Sequence, residues 1–169
     1  EGVHFPSDYS PDYLGWRALA VAVSDLAAMG ASPVCFTLAL TLPDANQGWL
    51  KPFSEGLARA SKAFGIALAG GDTTRGPLTI SIQVHGTVES GRALYRSGAK
   101  PGDLICVSGT LGAAGAALDY LAAPAPSPAQ LALLSRYHFP QPRLSLGQQL
   151  AGCASSAIDI SDGLLADLG

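Results

Sequence analysis

Charged residues are scarce in this chain. Lysine, arginine, aspartate and glutamate make up 14% of its 169 residues, where a typical soluble domain has about 25%. The formal net charge is only −3, and so weakly charged a composition does not suggest a nucleic-acid-binding protein. Hydrophobic residues reach 48%, so the chain can bury a substantial core and still leave apolar surface for a subunit interface.

Cysteine and histidine are also rare, with three of each. The cysteines, Cys35, Cys106 and Cys153, are odd in number and lie in apolar surroundings, which is typical of reduced thiols in the cytosol. The sequence shows neither a signal-peptide pattern nor an apolar run long enough to span a membrane. These absences predict a cytoplasmic protein without a membrane partner, and they argue against a zinc site.

What the chain does have is a glycine-rich acidic segment, GGDTTRGP, at residues 70–77. Adjacent glycines let backbone N–H groups approach an anion closely, and Asp72 directly after them can hold the cation that accompanies a polyphosphate. The segment therefore indicates a nucleotide-phosphate and Mg²⁺ site. The same letters fit an ordinary tight turn in which the Asp72 side chain bonds its own backbone, and the local residues favour neither interpretation.

Three more of the 13 acidic residues stand beside apolar stretches. Asp25 lies inside ALAVAVSDLAAM, a helix-length stretch apolar on nearly every face, which predicts that its carboxylate is buried. Asp159 and Asp162 lie where a short apolar strand runs into a turn and a new helix. There Asp162, like Ser161, is equally a candidate helix N-cap. Buried carboxylates need compensation, so four such aspartates favour several Mg²⁺ ions shared with a polyphosphate.

Hydrophobic periodicity and breaker residues predict a mixture of helices and strands. We expect helices over 12–29, 47–64, 113–122, 128–137 and 143–152. We expect strands over 35–42, 78–88 and 104–108, a short strand leading into the glycine-rich loop, and another strand around Asp159. The aperiodic stretch 90–103 is interpreted as a connection between two domains. The run GTLGAAG at 109–115 fits a dinucleotide-binding fingerprint only loosely, and packing of a glycine-rich helix against the sheet explains it.

Five strings carry a family resemblance, and they occur in the family's order: SDLAAMG at 24–30, TLALTLP at 37–43, GGDTTRGP at 70–77, RSGAKPGD at 96–103 and IDISDG at 158–163. Together they closely resemble the thiamine-monophosphate kinase family of the aminoimidazole ribonucleotide synthetase-like superfamily. The resemblance runs over essentially the whole chain. The GGDT and SDL elements recur across the superfamily and indicate only an enzyme that uses ATP and Mg²⁺, whereas the longer TRGP and RSGAKPGD strings point to the kinase family itself.

The resemblance implies an α+β fold with the two-domain aminoimidazole ribonucleotide synthetase-like architecture. Residues 1–90 would form the N-terminal domain that binds ATP and Mg²⁺, an α/β sandwich whose sheet pairs with a second copy in a homodimer. Residues 91–169 would begin a C-terminal α/β domain. The family also has an earlier segment with a Gly-Asp-Asp motif and a Ser/Thr-Thr-Asp metal site, and a longer C-terminal part. We therefore expect this chain to be an internal portion in which both domains are incomplete.

The activity that the resemblance implies is transfer of a phosphoryl group from ATP to thiamine monophosphate, which yields thiamine diphosphate in thiamine biosynthesis. ATP would be the co-substrate and several Mg²⁺ ions would be bound. No general base would be needed, because the acceptor phosphate is already ionised near neutral pH. The alternatives are another superfamily enzyme, such as selenophosphate synthetase or a purine-pathway ATP-dependent ligase, and a non-catalytic nucleotide- or thiamine-phosphate-binding module. A purely structural dimerisation module gives no reason for buried aspartates.

The resemblance also assigns roles to individual residues. The Mg²⁺ ligands would be Asp25, Asp72, Asp159 and Asp162. The ATP contacts would be Gly71, Asp72, Arg96 and Ser161. The Arg96 guanidinium can fork onto phosphate oxygens, and His4 would contact the substrate near the thiamine phosphate. Arg75 is a conjectured phosphate contact whose alternative role is to brace the glycine-rich loop.

Overall fold

The structure, a computed structural model, describes residue 2 and residues 4–169. The first part of the chain forms two helices and three strands: α1 (Pro11–Ala28), β1 (Ser32–Leu42), α2 (Gln47–Phe64), β2 (Ala67–Arg75) and β3 (Thr79–Thr87). The later part forms α3 (Ala113–Ala116), a 3₁₀ turn (Ala117–Tyr120), α4 (Pro128–His138), α5 (Leu144–Leu150) and α6 (Leu164–Leu168). The predicted α+β fold is confirmed. None of the helices in the described ranges is both long enough and apolar enough to cross a membrane.

β1 is the central strand of a three-stranded sheet in the order β2-β1-β3. It pairs in parallel with β2, to which α2 connects it, and antiparallel with β3. Side chains alternate along a strand, so Phe36, Leu40 and Leu42 are buried in the core while Thr41 points to the opposite face. Ser81 of β3 is exposed on that opposite face. The sheet therefore has one face covered by helices and one polar face, which no helix of the described residues covers.

The two long helices approach each other more closely than ordinary side chains allow. A Cβ atom on Gly15 of α1 would overlap the carbonyl oxygen of Phe53, and a Cβ atom on Gly56 of α2 would overlap the carbonyl oxygen of Asp12. Glycine at both positions lets the two backbones touch. The main core surrounds this contact, and its buried residues include Leu14, Leu19, Val23, Phe36, Leu57 and Phe64.

Helix ends follow from local sequence. α2 begins after Asn46, whose side chain accepts a hydrogen bond from the backbone N–H two residues later (2.8 Å). It ends at Gly65, which adopts the left-handed conformation with φ 64°. At the start of α4, Ser127 and Gln130 form a reciprocal capping box. These interactions explain why both helices lie within one residue of their predicted bounds.

The glycine-rich segment predicted as a loop lies instead almost entirely within β2. Gly71 pairs with Leu38 of β1, and a Cβ atom on Gly71 would overlap the Leu38 carbonyl oxygen. The register shifts just before this point, between Phe36 and Thr37, so that β2 contains one extra residue there. The prediction of a loop was wrong because it took the glycines as a sign of a loop. At Gly71 the glycine is needed for the close pairing of two strands, which requires no ligand.

The strand predicted at 104–108 is not formed. Leu104 is 90% exposed and Ile105 is 71% exposed, and no strand of the described residues pairs with this segment. The segment around Asp159 lacks a strand for the same reason. An extended apolar segment becomes a strand only when a neighbour satisfies its backbone N–H and C=O groups. The helix predicted at 113–122 is divided into α3 and the 3₁₀ turn that follows it.

The later helices pack on α1. Near the end of α1, Gly147 of α5 lies against the carbonyl oxygen of Ala27, where a Cβ atom would overlap it. Near the start of α1, the Arg17 Nη1 donates a hydrogen bond to the Tyr137 carbonyl oxygen (2.6 Å). The same guanidinium lies 4.1 Å from the centre of the Tyr137 ring. α1 therefore joins the two parts of the chain.

Substituting Gly15 by alanine should destabilise the fold although alanine is the better helix former. Helix propensity alone favours alanine by about 1 kcal/mol, but the added Cβ overlaps backbone atoms of α2, which cannot rotate away. We expect the free energy of unfolding, measured by urea denaturation, to fall by about 1–3 kcal/mol. Gly115→Ala is the matched control, because a Cβ atom at Gly115 of α3 meets nothing within 4 Å. Equal effects of the two substitutions would contradict the tight helix contact.

Candidate functional site in the cleft beside helix α1

One face of α1 lines an elongated cleft. Arg17, Val21 and Asp25 are spaced four residues apart, which places them along one side of the helix. Ile80 and Ile82 of β3 also line this cleft, whose volume is about 400 Å³. The cleft thus combines an apolar lining with two charged residues of α1, Arg17 and, about 12 Å further along the helix, Asp25.

Two site residues predicted from the sequence, His4 and Asp25, line this same cleft. Asp25 is exposed, so the burial predicted for it was wrong. Its neighbours Val23 and Leu26 do lie in the core, but the helix turns Asp25 toward the cleft, where Val21 is also 48% exposed. A stretch that is apolar on every side predicts a helix that is buried on every side. That prediction failed for Asp25 because none of the described residues packs against its side of α1.

Asp25 has a second carboxylate as its neighbour. Its side chain is open to solvent, yet the cleft walls remove part of its hydration, and this desolvation raises the pKa of Asp25. The negative charge of Asp159 raises that pKa further. Two aspartates far apart in the sequence are therefore close enough to repel each other. A cation bound between them would relieve this repulsion.

Hydrogen bonds bring Arg96 to the same region. The Leu94 N–H donates to the Met29 carbonyl oxygen, at the end of α1 (3.1 Å). The Ser156 hydroxyl donates to the Arg96 carbonyl oxygen (2.9 Å). The backbone around Arg96 therefore runs between the end of α1 and the segment that leads to Asp159, and the Arg96 side chain is exposed there.

The turn that follows Asp159 is held by a side chain of α6. The backbone N–H groups of Ser161, Asp162 and Gly163 all donate to the Asp167 carboxylate. Gly163 is the N-cap of α6. The N-cap interpretation of Ser161 and Asp162 is therefore wrong, and both residues are exposed.

Asp72 lies on the open face of the sheet. It pairs with Ala39 of β1, and the next residue of β1, Leu40, points into the core, so Asp72 points away from the helices. On the same face the hydroxyls of Thr41 and Thr74 are hydrogen-bonded across the strands (2.9 Å). Because α1 covers the other face, Asp72 and the α1 cleft are on opposite sides of the sheet.

The predicted site residues thus fall into two groups. In the first group, His4 and Asp25 line the cleft, and Asp159 raises the pKa of Asp25. Ser161 and Asp162 follow Asp159 within three residues, and Arg96 is hydrogen-bonded to the segment that leads to Asp159. Those on β2 are Gly71, Asp72 and Arg75. In the described ranges, no three histidine, cysteine, aspartate or glutamate side chains converge as a complete metal cage. Asp25 and Asp159 nevertheless have the donor chemistry that Mg²⁺ takes, since this ion binds hard oxygen donors and usually needs one or two protein carboxylates besides water and phosphate.

Sequence reasoning missed two residues of this region. Arg17 lines the cleft, and its spacing of eight residues from Asp25, which places both on one side of a helix, could have identified it. Asp167 holds the turn between Asp159 and α6. Its place four residues after Gly163, at the start of a helix, was the available pattern, since acidic side chains in a first turn reach back to N-terminal N–H groups.

The first half of the chain matches a known protein family. Residues 1–88 match the AIR synthase related protein family in its N-terminal domain. The chain belongs to the AIR synthase related protein family. The matched region contains α1 with Asp25, the three strands and Asp72, so the cleft and the open sheet face are both features of this AIR synthase related domain.

Named relatives cover the whole of this AIR synthase related chain. The thiamine-monophosphate kinase of Escherichia coli K12 is 50% identical over an alignment of 175 residues, which covers 99% of this chain and 53% of the relative. The chain thus spans about half the length of the curated relatives it matches. A crystal structure of thiamine-monophosphate kinase from Stenotrophomonas maltophilia K279a has a TM-score of 0.93 at 48% identity, over 100% of this chain and 56% of that one. AaThiL complexed with AMPPCP and TMP has a TM-score of 0.93 at 36% identity, over 99% of this chain and 55% of that one.

Removing the Asp159 charge should lower the pKa of Asp25. Asp159→Asn abolishes the repulsion but leaves the desolvation, so we expect the pKa to move toward its ordinary value without reaching it. Because the folded-state pKa is raised, protonated Asp25 stabilises the fold below its ordinary pKa, and this contribution is lost as the pH rises through the raised value. Carboxyl-carbon NMR titration in the presence of EDTA measures the shift. Asp162→Asn is the control, and an equal shift there would show that Asp159 is not the responsible neighbour.

Proposed function

We propose that the complete gene product is a thiamine-monophosphate kinase. It transfers the terminal phosphoryl group of ATP to thiamine monophosphate and yields thiamine diphosphate and ADP. The observation that carries this proposal is the likeness to AaThiL complexed with AMPPCP and TMP, at a TM-score of 0.93 over 99% of this chain. AMPPCP is an analogue of ATP. Identity of 50% with the Escherichia coli kinase supports the same assignment.

Residues in and near the cleft supply the charges that this reaction needs. Asp25 and Asp159 are the carboxylates that would hold Mg²⁺, and bound Mg²⁺ supplies neutralisation of the polyphosphate charge. Arg96 donates guanidinium N–H groups to phosphate oxygens. His4, which lines the same cleft, contacts thiamine monophosphate. The remaining proposed contacts near Asp159 are Asp162 for Mg²⁺ and Ser161 for ATP. On β2, away from the α1 cleft, we propose Asp72 as a contact for both Mg²⁺ and ATP, and Gly71 as a contact for ATP.

Positioning provides the acceleration in this proposal. The acceptor phosphate is already ionised near neutral pH, so no side chain has to remove a proton. Water is the competing acceptor for the phosphoryl group. The apolar residues of the cleft, Val21, Ile80 and Ile82, limit the access of water on the side of α1 and β3.

We further infer that the complete protein is a homodimer whose subunits meet through the open face of the sheet. Apart from Asp72 on the edge strand β2, this face presents small neutral side chains such as Thr41, Thr74 and Ser81. They are too weakly charged for an ordinary solvent-facing surface and too polar for a second core within the chain. Pairing with the same face of a second copy would bury them with their hydrogen bonds satisfied.

Two coarser assignments complete the proposal. The division into an N-terminal domain over 1–90 and a second domain over 91–169 is supported by the end of the family match at residue 88. A cytoplasmic location is supported by the composition of the chain, whose three cysteines are free thiols in the structure.

The complete gene product should form thiamine diphosphate from thiamine monophosphate, ATP and Mg²⁺, and EDTA should abolish both nucleotide binding and turnover. Asp25→Asn and Asp72→Asn keep the side-chain shape but remove a negative ligand. We expect each to lower turnover at low Mg²⁺ by about 100-fold or more, as measured by chromatography of the product. Asp119→Asn is the control, because Asp119 is exposed on the 3₁₀ turn.

The products formed separate the alternatives. Formation of selenophosphate from selenide, or of a ligase product, in place of thiamine diphosphate would assign the chain to another enzyme of the superfamily. Binding of nucleotide without any turnover would indicate a non-catalytic module. Full activity of Asp72→Asn at low Mg²⁺ would contradict the role of Asp72 alone.

Light scattering should give twice the subunit mass for the complete protein. Ser81→Arg places a charge at the middle of β3 on the open face, where Ser81 pairs with Ala39 of β1, and we expect it to yield monomers because a buried unpaired charge is costly. Ala58→Arg is the control, since Ala58 is exposed on α2, away from that face. A wild-type mass that corresponds to one subunit at every concentration would refute the dimer.

A further inference from the structure

The Asp167 carboxylate gathers the backbone of the turn that leads into α6. Its Oδ2 accepts hydrogen bonds from the N–H groups of Ser161 (2.9 Å), Asp162 (3.2 Å) and Gly163 (3.1 Å). Its Oδ1 makes longer contacts to the Ser161 hydroxyl and the Asp162 N–H, both at 3.5 Å. Three successive backbone donors thus converge on one side-chain oxygen.

In this arrangement the Asp167 carboxylate stabilises the turn before α6. An N–H group at the start of a helix has no partner within the helix, and a charged acceptor there is stabilising. Hydrogen bonds to a charged acceptor are about twice as strong as neutral ones. Gly163 turns the chain with φ 124°, a backbone conformation that residues other than glycine rarely adopt. The carboxylate and the glycine together determine one path for the backbone between Asp159 and Leu164.

The held turn carries two of the proposed Mg²⁺ ligands. Asp159 precedes the first bonded N–H by two residues, and Asp162 itself provides the second. Backbone contacts connect this turn to the helix that carries Asp25. The Ala157 N–H donates to the Tyr95 carbonyl oxygen (3.1 Å), and the Leu94 N–H beside it donates to the Met29 carbonyl oxygen just after α1 (3.1 Å). Displacing the turn would therefore change where its two aspartates lie relative to Asp25.

We propose that Asp167 is a positioning residue, which holds the turn from Asp159 to Gly163 so that its aspartates can bind a divalent cation with Asp25. The proposal rests on the function proposed above. Asp167 acts through the backbone, because its Oδ2 accepts three N–H groups of the turn and its Oδ1 also contacts the turn, at Ser161 and Asp162. Its loss should weaken cation binding without removing any ligand.

The test uses the complete gene product and the variants Asp167→Asn and Asp167→Glu. Asp167→Asn keeps one acceptor oxygen but loses the charge, so it should speed hydrogen exchange of the amides of residues 161–163 by about tenfold and weaken Mn²⁺ binding by about tenfold. Electron paramagnetic resonance with Mn²⁺ alone measures that binding. In kinetics, the KM for Mg²⁺ should rise much more than kcat falls. Asp119→Asn, an exposed aspartate on the 3₁₀ turn, should leave all three quantities unchanged.

Asp167→Glu keeps the charge and both oxygens, so it should restore part of the amide protection and part of the Mn²⁺ affinity. This variant also provides the measurement if Asp167→Asn does not fold. Faster amide exchange with unchanged Mn²⁺ affinity would overturn the proposal, because the turn would then have no effect on the cation. Loss of Mn²⁺ binding with amide protection retained would also overturn it, since Asp167 would then be a direct ligand.

The same measurements separate this proposal from the proposed reaction. Mn²⁺ binding and amide exchange do not depend on which substrate is phosphorylated. A wild-type protein that forms no thiamine diphosphate, but whose Mn²⁺ affinity falls in Asp167→Asn and partly returns in Asp167→Glu, would contradict the kinase assignment and support the positioning role.

Discussion

The backbone contact between Gly15 of α1 and Gly56 of α2 sets the geometry on which the rest of the structure depends. Because no side chain separates the helices there, α1 lies close to α2 and across β3, with its Asp25 face directed to the cleft. The bidentate pair of Arg59 with Asp12 links the same two helices (2.7 and 2.8 Å), but it is exposed and contributes little stability. Steric fit between glycines, not charge, therefore places the helix that carries the site.

α1 also determines how the two parts of the chain meet. Arg17 bonds the Tyr137 carbonyl oxygen near one end of α1, and the Leu94 N–H bonds the Met29 carbonyl oxygen just beyond the other end. The segment that follows Leu94 lies beside the one that leads to Asp159. The approach of Asp159 to Asp25 is thus a consequence of several contacts far from both carboxylates, which is how a rigid scaffold positions functional side chains.

Charged side chains are kept out of the core, and one of them, Asp25, lines the cleft. The described residues include no buried charged side chain, and the charge of Asp159 raises the pKa of Asp25, which lines the open cleft. Such repulsion lowers stability slightly, and a bound cation would relieve it. Asp167 differs from this pair because its carboxylate accepts hydrogen bonds from backbone N–H groups.

The sequence by itself determined the elements whose causes lie within a few residues. Asn46 and Gly65 end α2 where predicted because capping is local, and alternation identified β1 and β3. Only the tertiary structure decided that Asp25 is exposed and that no strand forms at Asp159. It also decided that Asp72 lies within β2 and points to the sheet face opposite the α1 cleft. Exposure and strand formation depend on neighbours brought from distant parts of the chain, and a local pattern contains no information about which neighbour arrives.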